Sequence, residues 1–146
     1  MIRKNNATGF SLIELLLVLA IMGIISGIAI PAFLGQRHRA RLIGDAQTNA
    51  QILRMQLETY KADTGVYGTA GATYSWTNSA GLVSGGSAAS ALNFTPKGNS
   101  RMNFNVTVDA AGAGLTYIIN VVDPSIGATY VVYSTNQNGS GVITPY

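Results

Sequence analysis

Hydrophobic and polar positions along this chain follow three different rhythms. From Leu15 to Leu34, twenty consecutive residues carry no charge, enough helix to cross a hydrocarbon core of about 30 Å. From Leu42 onward the run gives way to an amphipathic pattern. Leu42, Ala46, Ala50, Leu53, Leu57 and Tyr60 recur near the helical period, the signature of one buried stripe. Arg41, Asp45, Gln51, Arg54, Glu58 and Lys61 fall mainly off that stripe. Four of them stand four apart, Arg41 with Asp45 and Arg54 with Glu58, so two helix pairs are expected, each worth a few tenths of a kcal/mol. Asp63-Thr64-Gly65 then supplies turn chemistry. The pattern predicts a helix from Ser11 to Ala62, with irregularities in the middle. Gly23, Gly27 and Pro31 interrupt the apolar half, each glycine costing about 1 kcal/mol in a helix interior and a proline about 3.

The last third alternates with a period of two. Met102, Phe104, Val106 and Val108 are interleaved with Asn103, Asn105, Thr107 and Asp109, as in a strand with one buried and one wet face. Leu115–Asp123 and Ala128–Thr135 are β-branched and aromatic runs suited to central strands. Turn residues separate them at Asp109–Gly114, Asp123–Gly127 and Asn136–Gly141, and Val142–Thr144 forms a short last strand. One long helix followed by strands predicts an α+β fold, with the antiparallel sheet rolled over the Leu53–Leu57 stripe. Residues Gly65 to Ser100 are rich in Gly, Ser, Ala, Thr and Asn. They are long for a structureless loop. The expectation is an irregular arm pinned by Tyr67, Tyr74, Trp76, Leu82, Val83, Leu92 and Phe94, with a short helix through Ser87–Leu92.

Composition changes this picture little. The 146 residues suit one modest domain plus an anchor. Charged residues are 10% of the chain, against roughly 25% in ordinary soluble domains. The formal charge of +3 shrinks to near balance, seven basic against six acidic side chains, once Arg3 and Lys4 are set aside. It is not a nucleic-acid signal. There are no cysteines, so neither a disulfide nor a thiolate metal site is available.

The remaining feature is an acid out of place. Glu14 sits at the mouth of the apolar run, with apolar residues on both sides, where an unpaired carboxylate costs roughly 2–4 kcal/mol. Before it lies a short polar leader, MIRKNNATG, with Arg3 and Lys4. A secretory signal fits poorly. The apolar run exceeds the usual core of about 7–15 residues, Glu14 interrupts its start, and a small-residue site at Gly27–Ala29 is its one support. Leader, Gly9, Phe10, Glu14 and the apolar stem with Pro31 together resemble the type IV pilin family, including the secretion pseudopilins.

That resemblance implies a mature protein starting at Phe10. A membrane-embedded prepilin peptidase would cut after Gly9 and methylate the Phe10 amine. It also implies a layout: leader 1–9, transmembrane and assembly stem 10–34, amphipathic half of the helix 35–62, variable connecting region 63–100, and the sheet of a globular head 101–146. The partners implied are identical subunits in a helical filament, the inner-membrane assembly machinery, and the membrane itself before assembly. Glu14 would set register against the Phe10 amine of a neighbour. Gly23, Gly27 and Pro31 would serve close packing between stems, unwinding of the stem on assembly, or both. Family members place the leader inside and the body outside; Arg37, Arg39 and Arg41 after the stem leave the charge count neutral on that point. Two departures stand out: the absence of a C-terminal disulfide, and Gly68 where secretion pseudopilins often carry proline.

Other chemistry finds little support. The one histidine, His38, lies among Arg37, Arg39 and Arg41 with no acidic or cysteine partner nearby, against the several ligands a metal needs. No nucleophile elbow accompanies it, so no enzyme is expected. Gly112-Ala-Gly114 and Gly139-Ser-Gly141 read as turns, since neither opens a helix after a strand. Calcium, which major secretion pseudopilins bind, is weakly supported: Asp123 and Asn136–Asn138 offer oxygens but a single carboxylate. No cofactor is expected. Arg37, Arg39 and Arg41 read as headgroup or intersubunit contacts, and nucleic acid is disfavoured because no aromatic groove accompanies them. Aromatics read as packing, and sequons occur at Asn93, Asn105 and Asn138.

The expected function is a structural subunit of a type IV pilus. It would be stored in the inner membrane and assembled into a surface filament for adhesion, motility or uptake. The alternatives are a pseudopilin of a type II-like secretion system, working in the periplasm, and a membrane-tethered binding module that never polymerises.

Overall fold

The structure, a computed structural model, describes residues 9–77, 80–98, 101–127 and 130–144. Arg3 and Lys4 of the leader and Ala128 of an expected strand lie outside them. The first element is a single helix, α1, Leu12–Thr64. It ends two residues past the expected position and runs through Pro31 without a break. By its contacts the chain divides between Arg39 and Ala40. The unit up to Arg39 is the apolar stem. The unit from Ala40 holds the rest of α1 and everything after it.

In this second unit the amphipathic stripe is buried as the periodicity predicts: Ala46, Ala50, Leu53 and Leu57 are fully enclosed. Against them lies a six-stranded sheet made of β1 (Thr73–Thr77), β2 (Gly81–Ser84), β3 (Asn103–Val108), β4 (Tyr117–Val122), β5 (Val131–Asn136) and β6 (Gly141–Ile143), in the order β2-β1-β3-β4-β5-β6. Every neighbouring pair is antiparallel. The fold is therefore the α+β arrangement expected. A short helix, α2 (Gly86–Ala91), follows β2.

The connecting region departs from expectation. Residues 63–100 are not an irregular arm throughout, because β1 and β2 lie within them and extend the sheet past β3. The cause is a two-residue alternation within five positions, Thr73-Tyr-Ser-Trp-Thr77, which turns Tyr74 and Trp76 into the core. Tyr74 pairs with Val106 and Trp76 with Phe104 in register. Edge-to-face ring contacts then run from Tyr74 to Trp76, from Trp76 to Phe94 and from Phe94 to Phe104, with centroids 6.3, 5.6 and 5.5 Å apart. Such contacts add about 0.5–1.5 kcal/mol each beyond area burial. Strand β4 begins at Tyr117, later than Leu115, because the amide of Leu115 closes a turn on the carbonyl of Gly112.

Two polar ties hold α1 to the rest where a disulfide is absent. The first is Asn49, 1% exposed on the otherwise apolar stripe. Its Nδ2 donates to the carbonyls of Asp45 (2.9 Å) and Lys97 (2.7 Å), and its Oδ1 accepts the Lys97 amide at 2.8 Å. The side chain thus pairs with Lys97 as a strand neighbour would. The second is Glu58. Tyr67 donates its phenol to that carboxylate at 2.9 Å and Tyr117 at 3.5 Å, while the two rings meet edge to face at 4.6 Å. Arg54, expected to pair with Glu58, donates to the carbonyl of Gln137 at 3.3 Å. Burial, with Glu58 as a further cause, raises both phenol pKa values above the ordinary tyrosine value.

Removing the Asn49 side chain leaves the Lys97 amide and carbonyl without those partners. Asn49→Ala in the detergent-solubilised full chain is expected to lose about 1–3 kcal/mol in denaturant titration. Exposed Thr48→Ala should stay within about 0.5 kcal/mol, and equal effects would contradict the clamp. Because the folded phenols hold their protons longer than the unfolded ones, their contribution is complete below about pH 10 and is lost as pH rises further. Stability measured up that limb should fall steeply in the native sequence and less steeply in Tyr67→Phe/Tyr117→Phe. Identical slopes would count against the tie.

Candidate functional site

The N-terminal end of the stem carries the chemistry. Gly9, Phe10 and Ser11 precede the helix and are exposed, Phe10 at 79%. The Gly9–Phe10 bond thus lies in accessible, non-helical chain. Ser11 starts the helix: its carbonyl accepts the amides of Glu14 (3.0 Å) and Leu15 (3.3 Å), and its own amide donates to Glu14 Oε2 at 3.0 Å. This is the returning half of a capping box, in which the acid at the third helical position satisfies the amide before the helix. The negative charge also complements the positive end of the helix dipole. Glu14 therefore has a local partner next to the Gly9–Phe10 bond, within three residues of its own position.

The stem beyond it is apolar on every side. From Leu12 to Leu34 its large side chains are exposed, Ile28 at 74% for example. α1 is long and apolar enough to cross a membrane. Glycines Gly23 and Gly27 have open space where a Cβ would stand, so nothing among the described residues requires them to lack one. Small residues at such positions let a neighbouring helix approach closely. Pro31 sits inside α1 and removes one amide from its ladder.

At the end of the stem the guanidinium of Arg37 lies over the ring of Phe33, 5.6 Å from its centroid. Arg39 and His38 are exposed, and so is Arg41 at the start of the second unit. The basic side chains thus reach solvent where an apolar segment ends.

The oxygens considered for calcium are held apart. Asp123 caps its own turn, its Oδ1 accepting the amide (2.9 Å) and hydroxyl (2.6 Å) of Ser125. Asn136 does the same for Asn138, at 3.1 Å. The β4–β5 register places Asn136 beside Ile118 and Val122 beside Val131, so the two turns lie at opposite ends of β4. Among the described residues no three His, Asp or Glu side chains converge. Gly68 adopts φ +153, and a Cβ there would strike the Tyr74 ring. A proline, held near −65°, does not fit the conformation of this junction.

Sequence reasoning missed Asn49 and the role of Glu58. A polar residue in the stripe between Ala46 and Leu53 was the available signal for the first. The second depends on Tyr67 and Tyr117, nine and fifty-nine positions away, which no local pattern joins.

A match to a known family falls at the same end of the chain. Residues 4–30 match the family described as "Prokaryotic N-terminal methylation motif". Over 67 residues the chain is 35% identical to the type II secretion system core protein G of Vibrio cholerae serotype O1, covering 46% of this chain and 45% of that protein. The chain thus spans less than half the length of the curated relative it matches. No solved structure matches it. The matched residues take in the end of the leader, Gly9, Phe10, Glu14 and most of the apolar stem, the features by which the chain resembles type IV pilins and pseudopilins.

Proposed function

We propose that this chain, carrying that leader, is the structural subunit of a type IV pilus. A prepilin peptidase cuts after Gly9 and methylates the amine of Phe10. The stem holds the product in the inner membrane until assembly machinery draws it into a helical surface filament. The observation that carries this reading is the exposed apolar stem with one acid near its tip. Each large apolar side chain left in water forgoes about 1.5–3 kcal/mol, so a stem leaves lipid only into the cover of other stems. Glu14 then exchanges the Ser11 amide for a charged partner, the Phe10 amine of a neighbour, and misplacement along the axis is penalised in low dielectric. Head-to-tail repetition that does not close gives a filament. No catalysis is ascribed to the chain, and no cofactor.

A second reading is a pseudopilin of a type II-like secretion system, working in the periplasm. The identity to core protein G favours it. The separation of Asp123 from Asn136 and the conformation of Gly68 favour the pilus. A tethered, non-polymerising module is least supported, since Gly23 and Gly27 leave room for neighbours that such a monomer lacks.

Shearing cells, imaging the released material and sequencing its N-terminus by mass spectrometry decide between these. Long surface fibres beginning at methylated Phe10 are expected. Glu14→Ala should reduce fibre yield at least tenfold while the head keeps its native unfolding transition. Normal yield from Glu14→Ala would refute the register role, and processed chain found solely as periplasmic short polymer would favour the second reading.

A further inference from the structure

The sheet ends in two strands that pair on one side each among the described residues, β2 and β6. Unpaired strand edges are templates for another chain, and proteins usually blunt them with charge or proline. Here β2 reads Gly-Leu-Val-Ser and β6 reads Gly-Val-Ile, without a charge or a proline in either. Each edge exposes apolar side chains: Val83 is 58% exposed on β2, and Val142 64% on β6. The blunting devices present are shortness and a slip in register between Ser75 and Trp76.

Strand direction adds the decisive constraint. All five pairings are antiparallel across six strands, so β2 and β6, at the two ends, run in opposite senses. A copy carried over by translation or a small screw rotation keeps the sense of every strand. Its β2 therefore meets β6 of the first copy antiparallel, and the alternation continues unbroken. The contact joins two different edges, which is the heterologous kind that propagates instead of closing. Edge β2 against a second β2 would be isologous and would stop at a dimer.

We propose that β6 of one subunit and β2 of the next pair as a seam, so that the heads of the assembled polymer share one continued sheet. The partner is a second copy of this chain, and the inference rests on the filament reading above. A seam of three or four residues is too short to hold two free subunits together. It forms once the stems have raised the local concentration of heads, as linked sites do. The seam stiffens the coat without placing a charge in it.

The absence of cysteine from the chain makes the test clean. Val83→Cys and Val142→Cys are introduced singly and together, with Leu82→Cys/Ile143→Cys as a second pair against misfit of the first. Polymer from each is oxidised or treated with a short bismaleimide and resolved on denaturing gels. A ladder of dimer, trimer and higher species is expected from at least one double variant, with monomer from every single variant. Polymer that forms normally but yields no ladder from either pair overturns the seam and leaves the filament reading standing. Dimer from a single variant overturns it in favour of isologous pairing. A native chain that never polymerises overturns both.

Discussion

Everything in this molecule depends on an apolar rod that has no cover of its own. Twenty uncharged residues form one side-to-side hydrophobic surface, and a single carboxylate stands at its end. Water excludes that surface, lipid accepts it, and a bundle of identical rods accepts it equally well. The acid distinguishes the last two media. In the precursor it rests on the Ser11 amide, 3.0 Å away, a neutral partner supplied by its own helix. In the proposed bundle the partner is cationic, the Phe10 amine of a neighbour. On the proposed reading the stem changes environment once its leader is removed, and the change in partner gives the transfer a direction.

On the same reading the rest of the chain has to stay folded through that transfer. With no cysteine to close the C-terminal region, it is secured to α1 by the Asn49–Lys97 pairing and by the Glu58 carboxylate gripping two phenols. The first uses a buried amide and the second a half-buried carboxylate that takes two buried phenols, groups that are costly to leave unpaired. They fix how α1 meets the sheet more sharply than Leu53 and Leu57 alone, since hydrophobic contact is non-directional. A sheet held in this way presents its two edges in constant positions, which repeated contacts between subunits require.

Much of this was legible in the sequence because it is local. The apolar run, the stripe from Leu42 to Tyr60 and the alternation from Met102 to Val108 are short-range periodicities, and each marks its element to within a few residues. Gly9, Phe10 and Glu14, the residues proposed for processing and register, lie within the stretch that matches the methylation motif, a compact pattern beside the stem. What escaped was non-local or too short for a period to declare itself. Strand β1 offers five residues amid small polar ones, and its identity rests on Trp76 meeting Phe104 in register. Asn49 looked like an ordinary helix residue because its partner, the Lys97 backbone, lies forty-eight positions on. The Arg54–Glu58 pairing expected from spacing gave way because Tyr67 and Tyr117 offer Glu58 buried donors, worth more than an exposed helix pair.

The central claim is that stems shelter one another, and the accessibility of the stem in assembled material measures it most directly. Ile24→Cys supplies the chain's sole thiol, midway along the rod. Its reaction with a membrane-impermeant maleimide is followed in sheared polymer and in the same polymer unfolded in denaturant. The account predicts a thiol that is silent in the polymer, by a hundredfold or more, and fully reactive once the polymer is dissolved. A thiol that reacts at the unfolded rate in intact polymer would contradict it.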